Sequence, residues 1–191
     1  MSDPGVVIVL DGPTLVGRST TAAGLQQRWP EVRDGPLLGV GLDAALDALG
    51  AGSRRWRPLV LPHRAASSVS GTPVWGPLGR EVITGMHRAA AAWATAGFDV
   101  VVDHTFLDRA SATDLTAALR GVPTLFVGLV CHPDVLEERE RVAGAPMGLA
   151  TAELAAGRDA VTRDLILDTS ESTTDELVDA LLAAVRSWLR G

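Results

Sequence analysis

Lysine is missing from this chain: all 17 of its basic residues are arginine. Every position that would suit a compact ammonium must therefore use a planar guanidinium, a fork of donors rather than a point charge. Cys131 is the single cysteine, so no disulfide forms within the chain and a reducing compartment is compatible with it. No apolar run is long enough to span a bilayer, and the first residues lack the basic-then-apolar pattern of a secretory leader. A cytoplasmic protein without a membrane partner is the expectation. Basic stripes are also scarce: beyond Arg54-Arg55-Trp56-Arg57 no arginine cluster stands out, and the formal net charge is −6. Nucleic-acid binding scales with the phosphates neutralised, so no nucleic-acid partner is expected.

What is present suits a packed globule. Of the 191 residues, 47% are hydrophobic and 21% charged, enough for a sizeable core in one domain over residues 1–191 with a small lid. A homo-oligomer is compatible with the same composition.

The strongest motif is GVVIVLDGPTLVGRST at residues 5–20. An apolar run breaks into Gly12-Pro13-Thr14-Leu15-Val16-Gly17-Arg18-Ser19-Thr20, and a helical pattern follows. Strand, glycine-bounded loop and helix is the layout of the phosphate-binding loop G-x-x-x-x-G-K-[ST], with Arg18 in place of lysine. Gly12 and Gly17 let successive N–H groups turn inward around a phosphate, and the helix start aims its unpaired N–H groups at the same anion. Ser19 suits a Mg²⁺ ligand, and Arg18 the terminal phosphates of a nucleotide. The alternative is a glycine-rich turn opening an ordinary βα unit.

Four further apolar runs read as strands, at 37–41, 99–103, 124–131 and 165–168. Helical patterns occupy 42–49, 79–96, 134–141 and 174–189, the last with Leu177, Leu181 and Val185 at helical spacing. Strands apolar on both faces and alternating with helices imply an α/β fold, a parallel sheet covered on both sides. Ligands then bind at the carboxyl ends of the strands. Residues 51–77, rich in Gly, Pro and Ser, are too long for a passive connector and read as a substrate-pocket loop. A second break, at 142–150, follows a Glu/Arg cluster, so a lid is expected at about 139–150.

Asp103 ends an apolar strand, where a carboxylate orients Mg²⁺ or its waters; capping the next turn is the plainer role. His104 follows on the rim, structural or touching substrate. Asp43, just after the second strand, is placed to accept a proton from a substrate hydroxyl, or is an acidic residue favoured by a helix N-terminus. Arg139 and Arg141 stand where lid arginines close on a transferring phosphate, or form a solvated face of i,i+3 and i,i+4 pairs with glutamates. Trp56 and Trp75 suit stacking on a planar substrate, or filling the core of an alanine-rich fold. Cys131 reads as a buried, inert thiol.

Together, GPTLVGRS at 12–19, LGVGLDAAL at 38–46, GPLGRE at 76–81, AGFDVVVDHTFL at 96–107, LFVGLVC at 125–131, ERE at 138–140 and LILDTSES at 165–172 resemble the chloramphenicol phosphotransferase-like family of small P-loop kinases. The resemblance implies a shikimate-kinase-like three-layer fold with a five-stranded parallel sheet. It implies transfer of the γ-phosphate of ATP or GTP, with Mg²⁺, to a hydroxyl of a small antibiotic. Carried over by position, Asp43 matches the base on the acceptor hydroxyl, Arg80 an arginine near the substrate pocket, and Arg139 the first lid arginine. Three positions depart from the family: Arg18 replaces lysine, His104 replaces a second acid, and Ala143-Gly144-Ala145-Pro146 replaces a later lid arginine. Arg141 or Arg158 would then supply that charge. Residues 51–75 show no close match, which leaves chloramphenicol and nucleoside antibiotics equally open as acceptors. A small-metabolite or nucleoside kinase, and a non-catalytic nucleotide binder, are the alternative readings.

Overall fold

The computed structural model describes residues 3–48, 53–62, 69 and 71–191. Five strands form one sheet in the order β2-β3-β1-β4-β5: β1 Val7–Asp11, β2 Leu37–Gly41, β3 Asp99–His104, β4 Thr124–Val130 and β5 Leu165–Asp168. Every pairing is parallel, with Leu10 opposite Asp103 on one side of β1 and opposite Val127 on the other. The α/β class, the parallel sheet and its five strands are as the sequence and the resemblance imply.

The alternation along β1 explains the layers. Ile8 and Leu10 face α1 (Arg18–Arg28), α6 (Pro133–Ala143) and α8 (Thr174–Trp188), packing with Leu25, Trp29, Leu136, Leu181 and Val185. Val7 and Val9 face the opposite layer, α2 (Leu42–Asp47), α3 (Ser53–Val60), α4 (Gly79–Thr95) and α5 (Arg109–Ala118), packing with Leu46, Val60, Ile83, Met86 and Leu115. Both faces of a central parallel strand are thus removed from water, the dominant favourable term in folding. In α8, Thr173 and Glu176 form a reciprocal capping box. α7 (Leu149–Gly157) completes the helices, and among the described residues none is long and apolar enough to cross a membrane.

One expectation is corrected. Residues 51–77 are not all loop: α3 lies inside them despite Pro58. The turn at Gly76 closes that helix, because Gly76 N–H donates to Val60 O and Leu78 N–H to Leu59 O. A Cβ on Gly76 would lie 2.0 Å from Leu59 O, so close backbone approach demands glycine there. Residues 51, 52, 63–68 and 70 of the stretch lie outside the described residues. The break at 142–150, where a lid is expected, is tied to α6. Buried Glu140 accepts from Gly148 N–H (2.8 Å) and Ala150 N–H (2.5 Å), capping α7 with a carboxylate.

Candidate active site

The glycine-bounded loop leaves the central strand and feeds α1. Gly17 caps α1 at φ 101°, the left-handed region that favours glycine. Gly12 is required for a different reason: a Cβ there would lie 2.6 Å from Leu129 O. Leu15 adopts φ 64°, an uncommon conformation for a branched side chain and a local store of strain. A cavity of about 320 Å³ opens here, lined by Thr14, Leu15, Gly17, Arg18, Ser19, Thr20 and Asp43. The loop and the candidate base, Asp43, therefore share one space.

Arg18 folds back against the strand ends. Its Nη1 donates to Gly12 O and His104 O, each at 2.6 Å, and to Thr105 Oγ1. Its Nε lies 3.1 Å from Asp103 Oδ1. The other carboxylate oxygen of Asp103 accepts from Ser19 Oγ at 2.6 Å. A hydroxyl and a carboxylate thus meet at the start of α1, the donor set from which Mg²⁺ takes a few protein ligands while keeping waters and phosphate oxygens. Among the described residues no group of three or more His, Cys, Asp or Glu could hold a metal ion.

Several residues here escaped the sequence reading. Asp11, at the end of β1, is paired with Arg163 (Nε 2.9 Å, Nη2 2.5 Å) and accepts from Phe106 N–H at 3.1 Å. Arg163 also donates to Gly157 O at 2.8 Å and Arg158 O at 2.9 Å, tying the α7–β5 connection to the sheet. Glu153 of α7 is 1% exposed and accepts from Thr14 N–H at 2.7 Å, so a carboxylate already rests on the outer part of the phosphate loop. Asp11, the acid directly before Gly12, was legible as a strand-end carboxylate; nothing local marks Arg163 or Glu153 as its neighbours.

The two arginines expected in a lid separate. Arg139 donates to Leu15 O (3.2 Å) and to Thr169 O (2.7 Å), joining the phosphate loop to the loop after β5. Arg141 instead pairs with Glu138 at 2.5 Å, both exposed, on the solvated helix face that i,i+3 spacing permits. Arg158 lines a second cavity of about 330 Å³ together with Asp11, Gly12 and Pro13.

On the β2–β3 side, Asp43 is exposed in the first turn of α2, and Arg80 pairs with Asp108 at 3.1 Å on the surface. Trp56 is 36% exposed, while Trp75 is 5% exposed and packs its edge against His104. Stacking of Trp75 on a planar substrate is therefore corrected: its ring belongs to the core. His104 is 1% exposed and stacks on Phe106. It also meets His87, Nε2 to Nε2 at 2.9 Å, and His87 Nδ1 lies 2.7 Å from Asp114 Oδ2. Burial holds both imidazoles below the usual histidine range, His104 furthest, with the His87 and Arg18 charges adding to the effect. Cys131 is buried, as expected.

A family model described as chloramphenicol phosphotransferase-like protein matches residues 5–186. No curated protein matches the chain. Among solved structures, a sugar kinase from Janibacter sp. HTCC2649 superposes with TM-score 0.66 at 18% identity, covering 98% of this chain and 95% of that one. The Mycobacterium tuberculosis APS kinase gives 0.64 at 16% identity, covering 100% of both chains. A Deinococcus radiodurans tunicamycin resistance protein gives 0.62 at 22% identity, covering 95% of both. At such identities the likeness is one of fold.

Proposed function

As a member of the chloramphenicol phosphotransferase-like family, to which this chain belongs, the protein is a phosphotransferase of the kinase type, and we propose that it moves the γ-phosphate of ATP or GTP to a hydroxyl of a small antibiotic, inactivating it. The observation that carries the reading is one cavity holding the phosphate loop, Arg18, Ser19 and Asp43, with Asp103 bonded to Ser19 beside it. Strand order supports the direction of transfer. The phosphate loop follows the central β1, Asp43 follows β2 on one side, and a groove of about 860 Å³ beside Cys131, His132, Asp168 and Ser170 lies on the other. A nucleoside in that groove points its phosphates at the loop and leaves the β2–β3 side to the acceptor.

In this reading the loop N–H groups and Arg18 hold the β- and γ-phosphates, which is positioning and electrostatics. Ser19 and Asp103 are the residues that would hold Mg²⁺, which would supply charge neutralisation at the phosphate oxygens. Asp43 takes the proton of the acceptor hydroxyl, and that oxygen bonds to the γ-phosphorus. The bond from phosphorus to the bridging oxygen breaks, and the nucleoside diphosphate leaves. Arg139, already on Leu15 O, and Arg158, lining a cavity with Gly12 and Pro13, are further cations beside the loop. Glu153 must yield Thr14 N–H to any anion that claims it.

The family description, and the likeness in fold to a tunicamycin resistance protein, favour antibiotic acceptors, chloramphenicol-like or nucleoside. The likeness to sugar and APS kinases favours a small-metabolite acceptor as second reading. Mass spectrometry of hydroxylated antibiotics and metabolites incubated with protein, Mg²⁺ and ATP or GTP separates them. Gain of HPO₃ by an antibiotic alone supports the first reading, and gain by a metabolite alone supports the second. No transfer to any compound, with nucleotide still bound, argues for a binder without catalysis.

A further inference from the structure

Leu15 is a leucine where the backbone asks for glycine. Among the described residues it is the only non-glycine with φ in the left-handed region, at 64°. It sits in the turn Pro13–Val16, where φ is not positive at Thr14 and is positive at Leu15. Such a turn ordinarily takes glycine or asparagine at its third residue. The bond that closes it, Val16 N–H to Pro13 O, is long at 3.4 Å. Neither the residue type nor the turn's own hydrogen bond accounts for the conformation. Strain of this kind persists only where the surroundings over-determine it.

Here two helices supply that hold. Glu153 of α7 accepts from Thr14 N–H at 2.7 Å, and Arg139 of α6 donates to Leu15 O at 3.2 Å, so the two bonds bracket the centre of the turn. Each side chain is fixed in its own right. Arg139 also donates to Thr169 O at 2.7 Å and to Thr169 Oγ1 at 3.2 Å. The helix that carries Glu153 is secured at both ends. Glu140, the residue after Arg139 on α6, accepts from Ala150 N–H at 2.5 Å, and at the far end a Cβ on Gly157 would lie 2.3 Å from Phe106 O. We propose that Glu153 and Arg139 are positioning residues, a clamp that holds Thr14 and Leu15 in shape before a nucleotide arrives. Thr14 N–H stays with Glu153, and the phosphates take the N–H groups that open α1. What the loop is shaped for rests on the kinase reading above; the clamp itself does not.

Two measurements on the full chain test this, and the first needs no nucleotide. A left-handed residue holds its amide and α hydrogens close together, so Leu15 should give a strong cross-relaxation peak between them in the wild type. Glu153→Ala should weaken that peak, and Glu153→Gln, which keeps an acceptor oxygen, should retain it. The second is calorimetry with Mg²⁺ and whichever of ATP and GTP the wild type binds. Glu153→Ala should bind about tenfold more weakly, because the strain of one left-handed residue must then be met on binding. Placed on Leu15→Gly, the same substitution should cost less than about twofold, since glycine adopts that φ freely. Arg139→Ala, at a half-buried position, should show the same weakened peak and the same shrinkage on Leu15→Gly, and it serves if Glu153→Ala does not fold. An unchanged peak, a loss equal in both backgrounds, or tighter binding by Glu153→Ala, which would make its carboxyl a competitor of phosphate, would overturn the proposal. A wild type that binds neither nucleotide would instead strike the kinase reading, and the Leu15 peak would still decide the clamp.

Discussion

Two arginine–aspartate pairs flank the phosphate loop, and they differ in what holds the second carboxylate oxygen. Asp11, ending β1, gives one oxygen to Arg163 and the other to Phe106 N–H, a backbone donor that no ligand can replace. Asp103, one strand over, gives one oxygen to Arg18 and the other to the hydroxyl of exposed Ser19. The first pair is closed, with Arg163 bound further to carbonyls of the α7–β5 connection. The second is open: its hydroxyl can turn to a metal, and both Arg18 and Ser19 line a cavity. The same two residue types therefore serve structure on one side of the loop and, in the proposed function, chemistry on the other, and the difference lies in the third partner.

The largest effect that would break this comparison is on stability. Arg163→Ala leaves Asp11 buried and unpaired, which should cost about 3–5 kcal/mol in a denaturation experiment. The folded fraction should still bind nucleotide, whereas a loss below 1 kcal/mol would show Asp11 to be no anchor. Asp43→Asn should lower turnover on the order of 10²–10⁴-fold, the range of general-base catalysis, while nucleotide affinity by calorimetry stays level. Equal turnover would remove Asp43 from the chemistry.

A smaller effect depends on pH. Burial holds His87 and His104 below the ordinary histidine value of 6.5, so the unfolded chain takes up protons first as pH falls. Their contribution is complete above that value and is lost progressively below it. Denaturation midpoints should therefore decline from pH 7 toward pH 5, and a flat profile would contradict neutral buried histidines. The smallest effect separates the arginines of α6. Arg141→Ala should change stability by no more than about 0.5 kcal/mol and leave turnover alone, since its partner is exposed Glu138. Arg139→Ala, which cuts the link from Leu15 to Thr169, should weaken nucleotide binding.

Much of the open side was legible in the sequence, and little of the closed side. Periodicity exposed the strands, because a strand buried on both faces is an apolar run, and β1 and β3 are such runs. The loop 12–20 was readable because its glycines answer local needs, a left-handed cap at Gly17 and a close approach at Gly12. Asp103 was readable from its place at a strand end. Glu140 and Glu153 were not, because a carboxylate carries no local mark of burial. Their partners are backbone N–H groups that appear only once α7 is folded against the loop. Asp11 and Arg163 lie 152 residues apart, and only the sheet order brings them together. α3 was hidden by Pro58 and by the Gly, Pro and Ser around it, since its end is secured by the distant turn at Gly76.

Arg18 stands where lysine is usual, and in the proposed function it is the phosphate cation of this loop. Calorimetry of ATP and GTP with Mg²⁺ against wild type and Arg18→Ala tests it most directly, with Arg163→Ala as the closed-pair control. Wild type and the folded control should bind, and Arg18→Ala should bind at least about tenfold more weakly, a loss of roughly 1.4 kcal/mol. Equal affinity in wild type and Arg18→Ala would contradict it.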